Sequence, residues 1–406
     1  MDDRKTVNYN AGQPLWFWSA DRNDTTHLRM KLEMDHDIDG GDLLEAWKKT
    51  MKVYPLLNWI PDKVRGDLLF YEPESEPVVV NYDGPLMPCT ELAGGRPMAI
   101  SYYGNAIVLT FYHSIADAAG IVGVLRTLVY HYCTLHFHRE YDAGGIMLTE
   151  NRAVETYYRS PFRLDLGAYT PQPLAFYPLG DTIFTDPEMA PPKPGDVVTS
   201  SATISAEEFL RYCKAHGANP SVMLCILMGK AIYHSHPEER RRLALDVTVN
   251  YRKALGLPDC LGVFSTVATV CATYDQIMEG GTESAAAALR EALNRQRTED
   301  YAKTMMDMAR TYLILKDALS AVISYEGRID FGSCNRHVTG MFLVNNVTNT
   351  IHMIEFKEDF ILHFQFGKAT EFYRNAFINE LKEAGISIKA QSGAFIIPKE
   401  IKEMEE

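Results

Sequence analysis

The sequence lacks the features of membrane-spanning, secreted and metal-binding proteins. No stretch approaches the ~20 apolar residues of a membrane-spanning helix, and the N-terminal residues MDDRKTVN do not begin an apolar signal segment. The seven cysteines are scattered without a Cys-x-x-Cys pair, which disfavours a zinc site or a disulfide framework and fits reduced thiols. His136 and His138 form a His-x-His pair, but no third ligand accompanies them. We therefore expect a cytoplasmic protein that holds no metal.

Positive charge is also scarce. The chain has 40 Lys and Arg against 53 Asp and Glu, a formal net charge of −13, and this balance disfavours general binding to nucleic acid, which needs a basic surface. The dense basic cluster at residues 240–242 is typical of a solvated turn. There is also no G-x-x-x-x-G-K-[ST] loop and no G-x-S-x-G elbow, which disfavours nucleotide hydrolysis and serine-hydrolase chemistry.

What the sequence does contain is a long chain with alternating helix-like and strand-like segments. Its 406 residues are 46% hydrophobic and 23% charged, which suits a sizeable core, and the alternation favours an α/β or α+β layered architecture. Eight of the 20 prolines fall between Pro161 and Pro194, which predicts a long extended connection. We place the boundary there and predict an N-terminal lobe over residues 1–175 and a C-terminal lobe over residues 176–406.

Local signals predict several individual elements. Helical spacing over residues 42–53 ends at Pro55, Ser205 and Glu208 form a capping box, and Asn219-Pro220 begins a helix that runs to about Tyr233. Further helices are predicted over residues 284–297 and 370–384, and strands over residues 106–112, 243–250, 263–272 and 360–366. A helix with an apolar stripe follows the strand at 106–112 almost at once.

His113 lies where that strand ends and the helix is about to begin, which is where ligands usually bind in α/β layers. Asp117 follows four residues later, and the small residues 118–120 (AAG) would leave room for a ligand and let backbone N–H groups face it. With an ordinary pKa of about 6.5, a histidine at this position suits general-base catalysis. The pattern H-x-x-x-D by itself is common.

Four segments, in order, resemble a known superfamily. Residues 113–120 (HSIADAAG) resemble the H-x-x-x-D-[GA] motif of the chloramphenicol acetyltransferase-like superfamily, which includes the plant BAHD acyltransferases, the alcohol acetyltransferases and the condensation domains of nonribosomal peptide synthetases. The later segments that agree are VNYR at 249–252 with GVFST at 262–266, SYEGR at 324–328, and LHFQF at 362–366 with the helix after it. The helix that ends in VYPLL at 53–57 also fits the first helix of that fold. The resemblance spans nearly the whole chain and implies two lobes with mixed sheets and a central tunnel.

The resemblance also implies a reaction. An acyl group would move from an acyl thioester to a hydroxyl or amine of a small-molecule acceptor, with acyl-CoA as co-substrate and no permanently bound cofactor. His113 would be the general base. Asp117, which its spacing alone would make a catalytic partner of His113, is instead implied to pair with Arg252 and to fix the geometry of the loop.

Further residues are candidates for contacting substrate. The tetrahedral oxyanion of the reaction needs a hydrogen-bond donor, and the candidates are Ser265, Thr266 and backbone N–H groups near residues 118–120, among them Gly120. Tyr325 would line the acceptor channel, although buried strand tyrosines are more often part of a core.

The sequence departs from the condensation domains in two places. Tyr112 stands where those domains usually have a first histidine, and Ala118 stands where they favour glycine, which favours the small-molecule acyltransferases. The D-F-G-W-G motif of the BAHD enzymes is matched only by DFG at 330–332. Two alternatives stay open: a condensation-type enzyme that takes its acyl group from a carrier protein, and a non-catalytic member that binds a small ligand or another protein. The oligomeric state is not predicted.

Overall fold

The structure is a computed structural model that describes residues 6–8, 27–64, 67–84, 86–113, 115–149, 166–173, 183–193, 196–258, 260–310, 319–345 and 349–397. The α-helices of this described part are α1 (Gly40–Val53), α2 (Ala118–His136), α3 (Ala206–Ala215), α4 (Pro220–Ser235), α5 (Thr282–Gln296), α6 (Glu299–Arg310) and α7 (Thr370–Glu383). Its strands are β1 (Thr6–Asn8), β2 (His27–Met34), β3 (Ile60–Val64), β4 (Asp67–Tyr71), β5 (Val79–Asn81), β6 (Met98–Tyr103), β7 (Ala106–Tyr112), β8 (Val197–Ser205), β9 (Leu243–Asn250), β10 (Ser265–Ala272), β11 (Ala321–Arg328), β12 (Val338–Asn345), β13 (Thr350–Phe356), β14 (Asp359–Gln365), β15 (Ile388–Gln391) and β16 (Phe395–Ile397).

The predicted elements are present with small shifts at their ends. Helix α4 has Asn219 as N-cap and Pro220 in its first turn, as predicted, because the Asn219 side chain accepts a hydrogen bond from the amide of Val222. The capping box at α3 is only half formed. Ser205 does accept from the amide of Glu208, but the Glu208 carboxylate turns away and accepts from the amide of Ser387 at 2.7 Å.

A five-stranded sheet, which we call the first sheet, has the order β12-β2-β7-β6-β5. Alternate residues of β2, namely Leu28, Met30 and Leu32, lie in one buried cluster with apolar residues of α1 and α2. Helix α2 is the one described helix whose length and composition would suit a membrane span, and more than half of it is buried inside the structure. Helices α1 and α2 therefore cover one face of the first sheet, and the alternate residues of β2, such as Arg29 and Lys31, lie on the other face.

A larger sheet, which we call the second sheet, has the order β10-β9-β11-β13-β14-β8-β15, with β16 also paired to β8. The apolar side chains of one of its faces form a buried cluster with those of α4, α5 and α7. Its central strands β11 and β13 run parallel. Strands β1, β4 and β3 form a separate small sheet.

One strand from the second half of the chain belongs to the first sheet. Strand β12 pairs antiparallel with β2, so that Phe342 lies opposite Lys31 and Val344 opposite Arg29. The predicted boundary between residues 175 and 176 lies outside the described residues, as does much of the proline-rich stretch. The two-lobe division therefore stays a prediction. Strand β12 comes from the C-terminal side of the predicted boundary but belongs to the first sheet, whose other strands come from the N-terminal side.

Candidate active site

The site begins with the short loop between β7 and α2. Strand β7 ends at Tyr112, His113 follows it, and α2 begins at Ala118 with Asp117 as its N-cap. The cap is made by the Asp117 side chain, which accepts a hydrogen bond from the amide of Gly120 at 2.9 Å. A capping aspartate thus holds the loop that carries His113.

The Asp117 carboxylate is buried and accepts hydrogen bonds from donors on two parts of the chain. Nη2 of Arg252 donates to Oδ1 at 2.6 Å and Nη1 to Oδ2 at 2.9 Å, and the amides of Phe264 and Ser265 also donate to Oδ2. Burial opposes the charge of this carboxyl, but Arg252 and these hydrogen bonds together hold its pKa below the ordinary value of 3.8. The ion pair that the resemblance implied is therefore present, with bidentate geometry.

Arg252 also organises the loop after β9. Its Nε donates to the carbonyl of Cys260 and its Nη2 to the carbonyl of Gly262, both at 2.5 Å. The guanidinium is itself buried, so its charge is compensated by Asp117 and by these carbonyls. Asp117 and Arg252 are 135 residues apart in sequence, and the pair joins the loop of the first sheet to the 260–265 segment of the second.

Gly120 differs from its predicted role. A Cβ on this residue would lie 2.2 Å from the carbonyl oxygen of Leu261, so the space next to it is filled by protein backbone. Its amide donates to Asp117, and therefore does not face a ligand. The small residue is needed because helix α2 packs against the loop that Arg252 holds.

Gly120→Ala is accordingly expected to destabilise the protein by about 1–3 kcal/mol, the usual cost of forcing an extra methyl group into a packed site. Urea unfolding followed by circular dichroism measures the change. Gly123→Ala is the control, because a Cβ there would meet only an ordinary contact at 3.5 Å. Gly104→Ala would not serve, because Gly104 has a positive φ, where any side chain adds backbone strain. Equal unfolding midpoints for the two variants would contradict the packing explanation.

The two oxyanion candidates on β10 lie on different faces of the second sheet. Thr266 is opposite Val249, which belongs to the helix-covered core, whereas Ser265 is opposite Asn250. Directly opposed residues share a face, so Thr266 is directed to the helix side and Ser265 to the other side. The Ser265 amide already donates to Asp117 at 2.9 Å, which removes that amide as a donor for an oxyanion.

Tyr325 lies on the helix side of the second sheet. Its ring packs edge-on against Phe360 in the core, with ring centroids 5.9 Å apart, and its hydroxyl donates to the Glu355 carboxylate at 3.1 Å. Burial and the neighbouring carboxylate raise the pKa of this phenol. The core interpretation of Tyr325 fits this environment, and the acceptor-channel interpretation does not.

A row of polar side chains crosses the opposite face of the second sheet. We call it the polar row; its members are Thr248, Ser324, His352, His363 and Ser201. The hydroxyls of Thr248 and Ser324 are 3.0 Å apart, and His352 and His363 are direct cross-strand partners. Both histidines are buried, and within the described part of the chain Nε2 of His352 and both ring nitrogens of His363 have no hydrogen-bond partner. Such donors and acceptors are available to a bound polar molecule.

Glu326 contacts two members of the polar row and influences the pKa of His113. Its Oε1 accepts from the Ser324 hydroxyl at 2.6 Å and lies 3.4 Å from Nδ1 of His352. Burial lowers the pKa of His113; the Asp117 and Glu326 carboxylates oppose this shift, and His352 adds to it. His113, on the first sheet's loop, is therefore close to side chains of the second sheet and favours its neutral form.

Sequence reasoning missed Glu326, His352 and His363. A signal was present, because polar residues alternate with apolar ones along these strands, as in Ile323-Ser324-Tyr325-Glu326. The alternation becomes informative only when both faces of the strand are known to be buried. Outside the site, His136 contacts Asp42 and stacks on His36 at 4.4 Å. No group of three or more His, Cys, Asp or Glu side chains suited to a metal ion lies within the described residues.

Comparison with known proteins gives structural matches without sequence matches. No protein-family model matches this sequence, and no curated protein matches it. Polyketide synthase associated protein 5 from Mycobacterium tuberculosis is similar with a TM-score of 0.63 and 11% identity, over 92% of this chain and 96% of that one. F. graminearum TRI101, complexed with coenzyme A and deoxynivalenol, is similar with a TM-score of 0.58 and 13% identity, over 94% of this chain and 97% of that one. The first condensation domain of the calcium-dependent antibiotic synthetase is similar with a TM-score of 0.61 and 15% identity, over 94% of this chain and 96% of that one.

These matches cover both halves of the chain, at identities that establish the fold alone. They agree with the order of elements and with the mixed sheets described above. The predicted mixed α/β architecture is therefore confirmed: the chain has the fold of the acetyltransferase TRI101 and of the condensation domain.

Proposed function

We propose that this protein is an acyltransferase that moves an acyl group from acyl-CoA to a hydroxyl or amine of a small-molecule acceptor, with His113 as general base. The observation that carries the proposal is the placement of His113. It follows the end of β7, burial lowers the pKa of its ring, and Asp117, Glu326 and His352 lie close enough to influence that pKa. A neutral imidazole in such a position can accept a proton at physiological pH.

The chemistry follows from these groups. The acceptor's O–H or N–H would donate its proton to Nε2 of His113, because Nδ1 of that ring is buried. The acceptor oxygen or nitrogen then forms a bond to the thioester carbonyl carbon, and the carbonyl oxygen becomes an oxyanion. When the C–S bond breaks, the thiolate takes the proton from His113, which returns the base to its starting state.

The oxyanion needs donors other than those expected from the sequence. The amides of Gly120 and Ser265 already donate to Asp117. The polar row, on the sheet opposite His113, carries the buried imidazole of His352, whose Nε2 has no hydrogen-bond partner among the described residues. We place oxyanion stabilisation and acceptor binding on this row.

Coenzyme A is proposed as the carrier of the acyl group because TRI101, which shares the fold, is complexed with coenzyme A. The alternative implied by the resemblance to condensation domains is a donor in which a carrier protein presents the acyl group. Carrier proteins are acidic, and the net charge of −13 gives this chain no general attraction to them.

The test is a thiol-release assay with acetyl-CoA and longer acyl-CoAs, each with and without a panel of alcohols and amines. We expect thiol release that depends on the acceptor, together with an acylated product detected by mass spectrometry. The same acyl groups loaded on a carrier protein form the parallel arm. Turnover in that arm alone would replace CoA by a carrier protein, and no turnover with either donor, in a protein that still binds acyl-CoA, would favour a non-catalytic binding role.

Glu326→Gln is expected to shift the acidic limb of the pH profile of kcat/KM to lower pH, by about one unit or less. The Glu326 carboxylate raises the pKa of His113, so its removal lowers that pKa further, and the base form then persists at lower pH. Steady-state kinetics between about pH 5 and 8 measures the limb.

The matched control is Glu355→Gln. Glu355 is on the same sheet but accepts from Tyr325 on the helix side, so the profile should stay in place. An unchanged acidic limb in Glu326→Gln, or an equal shift in both variants, would argue against His113 as the titrating base.

A further inference from the structure

The side chain of Arg29 is buried. The residue is 9% exposed, and among the described residues its Nε and Nη2 atoms have no hydrogen-bond partner. No hydrogen bond or ion pair joins its side chain to any residue in the described part of the chain. Since a guanidinium carries five donors and a permanent charge, and an unpaired buried charge is strongly unfavourable, this arrangement is suited to binding an anion.

Arg29 lies on the face of the first sheet that α1 and α2 do not cover. Its neighbours in sequence, Leu28 and Met30, are on the helix side, so Arg29 is directed to the other side. The buried hydroxyl of Ser101, on β6, also has no hydrogen-bond partner among the described residues. Burial lowers the pKa of Arg29 to about 10, while Tyr103 and Tyr82 oppose the shift, which places the guanidinium near β5 and β6.

The same face leads to the active site. Arg29 lies opposite Thr110 on β7, three residues before His113, which corresponds to roughly 10 Å along a strand. Phe342, which shares this face through its pairing with Lys31, packs edge-on against His363 of the polar row, with ring centroids 4.5 Å apart. The unpaired guanidinium and the polar row thus belong to facing surfaces of the two sheets.

We propose that Arg29 binds an anionic oxygen group, a carboxylate or a phosphate, of a substrate held between the two sheets. The proposal rests on the proposed acyltransferase function for the identity of the substrate as acceptor or donor. A planar guanidinium binds a carboxylate or a phosphate through two parallel hydrogen bonds, and the Ser101 hydroxyl can add a third. Ser101 lies opposite Val108, farther along β7 from His113 than Thr110, so the bound group lies about 10 Å or more from His113, and both the acceptor and the phosphates of coenzyme A are candidates.

The test measures anion binding by thermal unfolding and needs no turnover. Wild type, Arg29→Met and Lys31→Met are heated with acetate, with inorganic phosphate and with coenzyme A, at one ionic strength and with chloride as reference. Lys31 is the matched control, because it carries the same charge two residues away on the same face but is paired with Glu33 at 2.7 Å. We expect at least one of these anions to raise the unfolding temperature of wild type and Lys31→Met by about 2–4 °C, and to leave Arg29→Met unchanged.

Without added anion, Arg29→Met should unfold at a higher temperature than wild type, because it removes an uncompensated buried charge. A merely structural arginine would give the opposite result. Loss of the acetate effect assigns the site to a carboxylate of the acceptor, and loss of the coenzyme A effect assigns it to the donor. Equal responses of wild type and Arg29→Met, including no response in either, would overturn the proposal. If acyl transfer fails while Arg29-dependent binding holds, only the proposed reaction is lost.

Discussion

Asp117→Ala is expected to lower the free energy of unfolding by about 3–5 kcal/mol, the usual cost of removing one partner of a buried ion pair. The substitution leaves the Arg252 guanidinium buried without its counter-charge and takes the acceptor away from the amides of Gly120, Phe264 and Ser265. Urea unfolding followed by circular dichroism and by tryptophan fluorescence measures the loss. Asp37→Ala, at an exposed position, should change stability by less than about 0.5 kcal/mol.

Removing both partners separates the ion pair from the amide contacts. The double variant Asp117→Ala with Arg252→Met should be less destabilised than the sum of the two single variants, since no charge is then left buried alone. An Asp117→Ala protein with wild-type stability would show that the pair does not hold the loop. Normal turnover in that protein would also exclude any part for Asp117 in positioning His113.

The same carboxylate predicts how stability depends on pH. The folded pKa of Asp117 lies below the ordinary value of 3.8, so its contribution is fully present at neutral pH. It is lost as the pH falls below that value and through the folded pKa. Asp117→Ala should therefore show a smaller acid-induced loss of stability than wild type.

His113→Gln is expected to reduce kcat for acyl transfer by roughly 10²–10⁴-fold, which is the usual contribution of general acid–base catalysis. Glutamine keeps a polar side chain of similar length but cannot accept and return a proton at neutral pH. The initial rate of acceptor-dependent thiol release measures the loss, and KM for acyl-CoA should change little.

His136→Gln is the control for this substitution. His136 stacks on His36 at the end of α2 and contacts Asp42, so its replacement should leave kcat unchanged. Both variants should keep the far-ultraviolet circular dichroism of wild type. Thiol release that is indifferent to His113→Gln would end the general-base assignment while leaving the fold untouched.

Local sequence signals predict the elements of this fold well and their partners poorly. Strand β7 coincides with the predicted residues 106–112, and α7 ends one residue earlier than expected, because hydrophobic period and capping residues are local properties. The half-formed box at Ser205 and Glu208 shows the limit. Ser387, which captures the Glu208 carboxylate, is 179 residues away, and no local pattern announces it.

The residues of the candidate site likewise fall into those that sequence motifs reveal and those that they do not. His113, Asp117 and Arg252 could be found from short motifs, and the structure brings Asp117 and Arg252 into contact. The unpaired Arg29 and the members of the polar row could not, because a lone charged or polar residue on a strand is uninformative until the opposite sheet is in place. Tyr325 illustrates the cost of ignoring strand alternation, since its direct neighbours Ser324 and Glu326 face the site and it does not.

The transfer of β12 into the first sheet has a consequence for biosynthesis. Until residue 345 has left the ribosome, β2 must wait as the open edge of that sheet, with its hydrogen-bonding groups and the alternating Leu28, Met30 and Leu32 partly uncovered. Exposed edges of this kind pair readily with other chains, and unfinished multidomain intermediates are prone to aggregate. The first sheet can therefore be completed only late in synthesis, when β12 in the last third of the polypeptide pairs with β2.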